Sequence, residues 1–177
     1  MAVCIVTGAS IASAQVRYGS VTLDRGFPAQ TMNGTAGGIN DSSGYGTTPT
    51  GQCRGYVDTT PNHQMVLSSG FDNLEIVVSS AVDTTLVVLG PTGTFCNDDT
   101  NGLNPAMSGA FEAGMYYIYV GTYSPGATGA YSITFSSADP AVVRRGDDDR
   151  GGEGGGRRRR LNTNTNASIS GSMMPSR

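Results

Sequence analysis

Apolar and polar residues alternate along this chain in short runs. In 115–120, Tyr116, Ile118 and Val120 share one side of a pleated strand, with Tyr117 and Tyr119 on the other. In 130–135, Tyr131, Ile133 and Phe135 oppose Ser132 and Thr134. Successive side chains of a strand point to opposite faces, so Tyr116, Ile118, Val120, Tyr131, Ile133 and Phe135 are expected in a core. The same reading predicts strands at 18–23, 64–67, 74–79 and 84–89, and shorter ones near 30–33 and 54–57. Between them lie Ser69-Gly70, Gly90-Pro91-Thr92-Gly93, Asn101-Gly102, Ala113-Gly114 and Ser124-Pro125-Gly126, which are turn signals. No stretch keeps helical apolar spacing for three turns. Short strands punctuated by Gly and Pro predict an all-β fold, an antiparallel β-sandwich.

Composition narrows the chemistry. Of 177 residues 26 are Gly, and charged residues make up 14%, against a usual ~25%. The basic residues are all Arg, so Schiff-base chemistry through Lys is excluded. His63 is the one histidine, so two-His metal sites within the chain are excluded too. A Ser-His-Asp arrangement would need His63 beside an activated Ser, and no G-x-S-x-G elbow occurs. A turn histidine before a strand is the simpler reading, and the chain is expected not to be an enzyme. No apolar run reaches the ~18–20 residues of a membrane span.

Charge is unevenly distributed. Residues 16–138 carry three arginines against nine acids, whereas 139–177 carry eight arginines against five. An acidic body disfavours nucleic acid. The block Arg157-Arg158-Arg159-Arg160, the Gly-rich stretch before it and the Asn-Thr repeat at 162–166 cannot bury a core, so 141–177 reads as a flexible tail. At the other end an apolar stretch runs into Ala12-Ser13-Ala14, an A-x-A cleavage pattern, although no basic residue precedes it. Residues 1–15 are therefore read as a signal peptide or as a retained apolar arm. As an arm, Val3, Ile5, Val6, Ile11, Val16 and Tyr18 would need a neighbouring subunit to bury them, by strand addition. The body is expected at 16–140.

Cys53 and Cys96 form an even pair once Cys4 is assigned to the N-terminal segment. No C-x-x-C or metal-like spacing accompanies them, so a disulfide is expected, in an extracellular setting. It would close a loop worth roughly 3–4 kcal/mol in the loop-entropy model.

From Asp83 onward the chain resembles the bacterial pre-peptidase C-terminal (PPC) domain. The matching segments are Asp83-Thr84-Thr85-Leu86, Gly90-Pro91-Thr92-Gly93, Asn97-Asp98-Asp99, Glu112-Ala113-Gly114-Met115-Tyr116-Tyr117-Ile118-Tyr119-Val120 and Gly129-Ala130-Tyr131-Ser132-Ile133-Thr134. A weaker fit reaches back through residues 61–67 to about Tyr18. The resemblance implies a sandwich of jelly-roll type, export from a bacterial cell and a non-catalytic role. The chain departs from the usual pattern in showing no peptidase domain before the module.

Several residues are candidates for binding. Asn97, Asp98, Asp99 and Asn101 gather the oxygens that calcium prefers. An Asx-rich turn satisfying its own backbone is the alternative, and no cofactor is required. Tyr117, Tyr119 and Tyr123 are read either as an exposed aromatic face able to contact carbohydrate or protein or as cross-strand packing under a loop. Asn33, Asn40 and Asn166 lie in glycosylation sequons. The sequence thus leads to a secreted structural protein that self-assembles through its N-terminal segment into a fibre or surface layer. The alternative is an extracellular binding module for polysaccharide or protein, with calcium dependence.

Overall fold

The computed structural model describes residues 15–141. The N-terminal segment with Val3, Ile5, Val6 and Ile11, the Arg-rich tail and Asn166 lie outside the described residues.

Each predicted run is a strand, and the boundaries move by a few residues. The strands are β1 (Ser20–Leu23), β2 (Gln30–Gly37), β3 (Asn40–Asp41), β4 (Thr47–Thr48), β5 (Gly51–Gln52), β6 (Tyr56–Val57) and β7 (His63–Leu67). They continue with β8 (Phe71–Ser80), β9 (Thr84–Gly90), β10 (Gly93–Asn97), β11 (Ala106–Phe111), β12 (Gly114–Thr122) and β13 (Thr128–Ser137). One sheet contains β1, β7, β12, β9 and β10, with β6 and β3 attached at the end of β12; the other runs β11-β8-β13-β2. The chain passes repeatedly from one sheet to the other, as in a jelly-roll-type sandwich.

Strands β10 and β11 were not legible as strands. The two-residue turn Pro91-Thr92 joins β9 to β10, pairing Gly93 with Gly90. β11 carries Ser108-Gly109 in its middle, poor strand formers, and its register with β8 shifts between Gly109 and Phe111. One pair departs from the antiparallel expectation. β1 lies parallel to β7, Ser20 opposite Gln64 and Leu23 opposite Leu67. The segment between them crosses to the other sheet through β2, the long connection that parallel pairing requires.

The main core sits between the sheets. Tyr116, Ile118 and Val120 meet Tyr131, Ile133 and Phe135 there, along with Leu23, Met65, Leu74, Ile76, Leu86 and Val88. Residues 86–89 of β9 are a continuous apolar run because both faces of the strand are covered. Leu86 and Val88 enter the main core. Val87 lies on the opposite side, in a smaller cluster with Cys53, Val57 and Cys96, and Leu89 and Tyr119 pack against it. This outer cluster separates the two readings of the tyrosines. Tyr119 points away from the main core as predicted, yet β6 and the disulfide half-bury it, and that burial pushes its pKa up. Tyr117 is half-buried as well, and only Tyr123 is well exposed.

Arg17 and Tyr18 lie along their own domain. The Arg17 NH donates to Pro61 O at 3.0 Å and the Tyr18 NH to Asn62 O at 2.8 Å. The Arg17 guanidinium pairs with Asp58 at 2.7 Å, and the Tyr18 ring centroid is 5.9 Å from that of His63. Tyr18 is thus packed within the subunit rather than held out for a neighbour, and Val16 is half-buried.

Candidate metal centre

The loop after β10 is shaped by Asn97. Its side-chain oxygen accepts from the Thr100 hydroxyl at 2.8 Å and the Ala106 NH at 3.1 Å, and its amide donates to Thr50 O at 3.1 Å. Further along, Asn101 and Asn104 pair through their backbones, across a turn in which Gly102 takes φ +66°, the left-handed region that glycine enters at least cost. The loop then docks on the start of β9. The Thr84 NH donates to Leu103 O at 3.0 Å, and the Thr84 hydroxyl donates to the Asn104 side-chain oxygen at 2.7 Å. The Asn104 amide reaches Ser80 O at 3.0 Å.

That docking brings Asp83 onto Asp98 and Asp99. One carboxylate oxygen from each lies within 4.8 Å of the others. Asp98 is only 7% exposed. Both its carboxylate oxygens are buried without a hydrogen-bond partner, as is Asp83 Oδ1. Burial pushes Asp98 up to about 6, and the charges of Asp99 and Asp83 add to the effect against Arg54. Asp83 is raised for the same reasons, burial and then Asp99. A buried carboxylate with no donor is costly, and a hard cation is the partner that would satisfy Asp98 and Asp83 while drawing in the exposed Asp99 beside them. Oxygen donors without nitrogen or sulfur suit calcium, magnesium or manganese, and calcium tolerates irregular geometry best.

The expected ligand set therefore changes. Asp98 and Asp99 are brought together as expected. The Asn97 side chain is spent on building the loop, and Asn101 is an exposed turn residue rather than a member of the trio. Asp83 was missed, because from sequence it reads as the residue before a strand. Of the sequons, Asn33 is exposed on β2, and Asn40 is exposed with its amide donating to Val57 O at 3.0 Å.

Cys53 and Cys96 form a disulfide, which anchors the strand immediately before the acidic loop. His63 opens β7 and is wholly buried, rather than sitting in a turn. Its Nε2 lies 2.7 Å from the Tyr131 hydroxyl, while Nδ1 is buried without a partner. Burial pushes His63 down to about 4. Its folded pKa is thus below its unfolded value of 6.5, so this contribution to stability is present above pH 6.5 and is lost as pH falls towards 4. The loss amounts to about 3 kcal/mol. The single histidine makes the check direct. Its ring-proton NMR signal should titrate near pH 4, and denaturant unfolding of the Asp98→Asn variant should weaken over pH 6.5–4. Titration at the ordinary 6.5 would refute this.

These features define a disulfide-bonded all-β sandwich with an acidic trio between two of its loops. No family model matches the chain. It is 35% identical over 127 residues to an uncharacterized protein of Synechococcus elongatus, a match spanning 68% of this chain and 82% of that protein. The chain belongs to that protein's family. Among solved structures, the pre-peptidase C-terminal domain of a collagenase from Bacillus anthracis is similar at 17% identity with a TM-score of 0.44, over 70% of this chain and 100% of that one. So loose a superposition carries nothing further, and the sandwich stands on its own strand pairing.

Proposed function

We propose that the chain is a secreted, non-catalytic binding module that takes up calcium between Asp83, Asp98 and Asp99. The observation carrying this reading is Asp98, a nearly buried carboxylate with no partner and two acids beside it. The disulfide supports an oxidising compartment, where such bonds persist. The non-catalytic part is supported by His63, which is sealed in the core and held neutral near pH 7. The filament reading rests chiefly on residues outside those described, and Tyr18, a described member of that set, packs against its own domain.

The test is calorimetric titration of the chelator-stripped protein with calcium. One calcium per chain is expected, with Kd around 10⁻⁴–10⁻³ M, the range of extracellular modules. Asp98→Asn should abolish the heat. No uptake at millimolar calcium would overturn the proposal.

A further inference from the structure

Near the acidic trio lies an open surface pocket of different character. It measures about 400 Å³ and is lined in part by Asp41, Ser43, Arg54, Tyr56, Tyr123 and Pro125. The two sites are neighbours: the Tyr123 NH donates to Asp83 O at 3.2 Å, and the charge of Arg54 is felt at Asp98. Glycines bring the walls together. Gly55 has φ +81°, and a Cβ there would stand 2.8 Å from Thr122 O. At Gly121 a Cβ would strike the Tyr56 carbonyl. Larger residues at either position would push Tyr56 away from the segment that carries Tyr123.

The lining combines two kinds of surface. Tyr56, Tyr123 and Pro125 provide apolar faces, and Tyr123 is 49% exposed. Such rings give large contact area at low entropy cost. Asp41, Arg54 and Ser43 provide hydrogen-bonding groups. Asp41 Oδ1 already accepts from the Ser43 NH at 2.8 Å, leaving Oδ2 as an acceptor. The Arg54 guanidinium is steadied by Gln52 Oε1 at 2.9 Å. One carboxylate and one guanidinium cancel, so the lining has no formal net charge and favours an uncharged ligand. A ligand with apolar C–H faces and a rim of hydroxyls matches both surfaces, and the volume falls in the ~300–1,000 Å³ range of small-molecule sites.

We propose that this pocket binds a neutral saccharide, with Tyr123 stacking on a sugar ring and Asp41 and Arg54 engaging its hydroxyls. The proposal rests on the reading of the chain as a binding module and names its ligand class. Among the three tyrosines weighed for an exposed face, Tyr123 alone lines the pocket, and Tyr56 joins it.

The experiment titrates the full chain, in calcium, with cellohexaose, laminarihexaose, mannohexaose and chitohexaose, with alginate as an acidic control. At least one neutral hexaose should bind. Tyr123→Ala should weaken it about tenfold, the equivalent of one aromatic contact, while Tyr123→Phe keeps it. The melting temperature should not move, since the ring is at the surface. Calcium uptake without binding of any neutral hexaose would overturn the saccharide site and leave the cation reading standing. Saccharide binding indifferent to Tyr123→Ala, binding of alginate alone, or a dimer lost on Tyr123→Ala would also overturn it. Failure of the calcium titration itself would count against the cation reading instead.

Discussion

Asp98→Asn is expected to stabilise the chelated protein and to destabilise it, relative to the unaltered chain, once calcium is added. In the metal-free fold Asp98 is charged at neutral pH, nearly buried, unpartnered and beside two other acids. Its folded pKa of about 6 lies above the unfolded value of 3.8. A raised pKa means a contribution fully present below pH 3.8 and lost as pH rises through 6. Above pH 7 the penalty is on the order of 3 kcal/mol. Asparagine keeps the shape and removes the charge, so most of that penalty should go. A gain of about 2 kcal/mol corresponds to roughly 7 °C in a domain of this size. Calcium reverses the order. At a hundredfold excess over Kd it should stabilise the unaltered chain by about 2.7 kcal/mol and the variant by nothing. Paired thermal melts in chelator and in calcium check this, and at pH 5 the gain in chelator should shrink as Asp98 takes up its proton. A variant that is less stable than the unaltered chain in chelator would show that Asp98 is satisfied by some other means.

The sequence carried the core of this molecule further than its site, for a physical reason. A strand's burial is written locally, in alternation, so Tyr116, Ile118 and Val120 were readable from six residues. β9 was readable as a strand from its run of β-branched and apolar residues, but not as one covered on both faces. Asp83 was not readable, because what makes it a candidate ligand is its approach to a loop some fifteen residues on, set by Thr84, Asn104 and Leu103. Asn97 misled for a related reason. Its chemistry suits calcium, but the loop uses both ends of its amide as scaffolding. Tyr119 obeyed the alternation and still became half-buried. A segment poor in apolar residues, 42–55, is drawn over it by a covalent bond rather than by any hydrophobic pattern.

That segment sets the second large expectation. Replacing both cysteines, Cys53→Ala with Cys96→Ala, should cost about 4 kcal/mol in the loop-entropy model, since the bond spans 43 positions. The loss should not be spread evenly. Residues 42–55 place one side chain in the outer cluster, Cys53 itself. Otherwise they are held mostly by polar contacts, such as the Cys96 NH donating to the Thr48 and Thr50 hydroxyls at 3.0 Å each. Without the bond this flap should open at a free energy well below that of the sandwich, as local unfolding does where apolar contacts are few. Trypsin reports it directly, because Arg54 is exposed at the end of the flap: cleavage there should accelerate while the rest of 15–141 stays protected. The same opening releases the Asn97 amide from Thr50 O, and with it one of the ties that hold the acidic loop. Calcium affinity should therefore fall in the double variant although no ligand has been touched. Unchanged affinity alongside rapid cleavage at Arg54 would mean that Thr84 and Asn104 alone hold the trio, and unchanged protection at Arg54 would mean that the polar contacts, not the disulfide, close the flap.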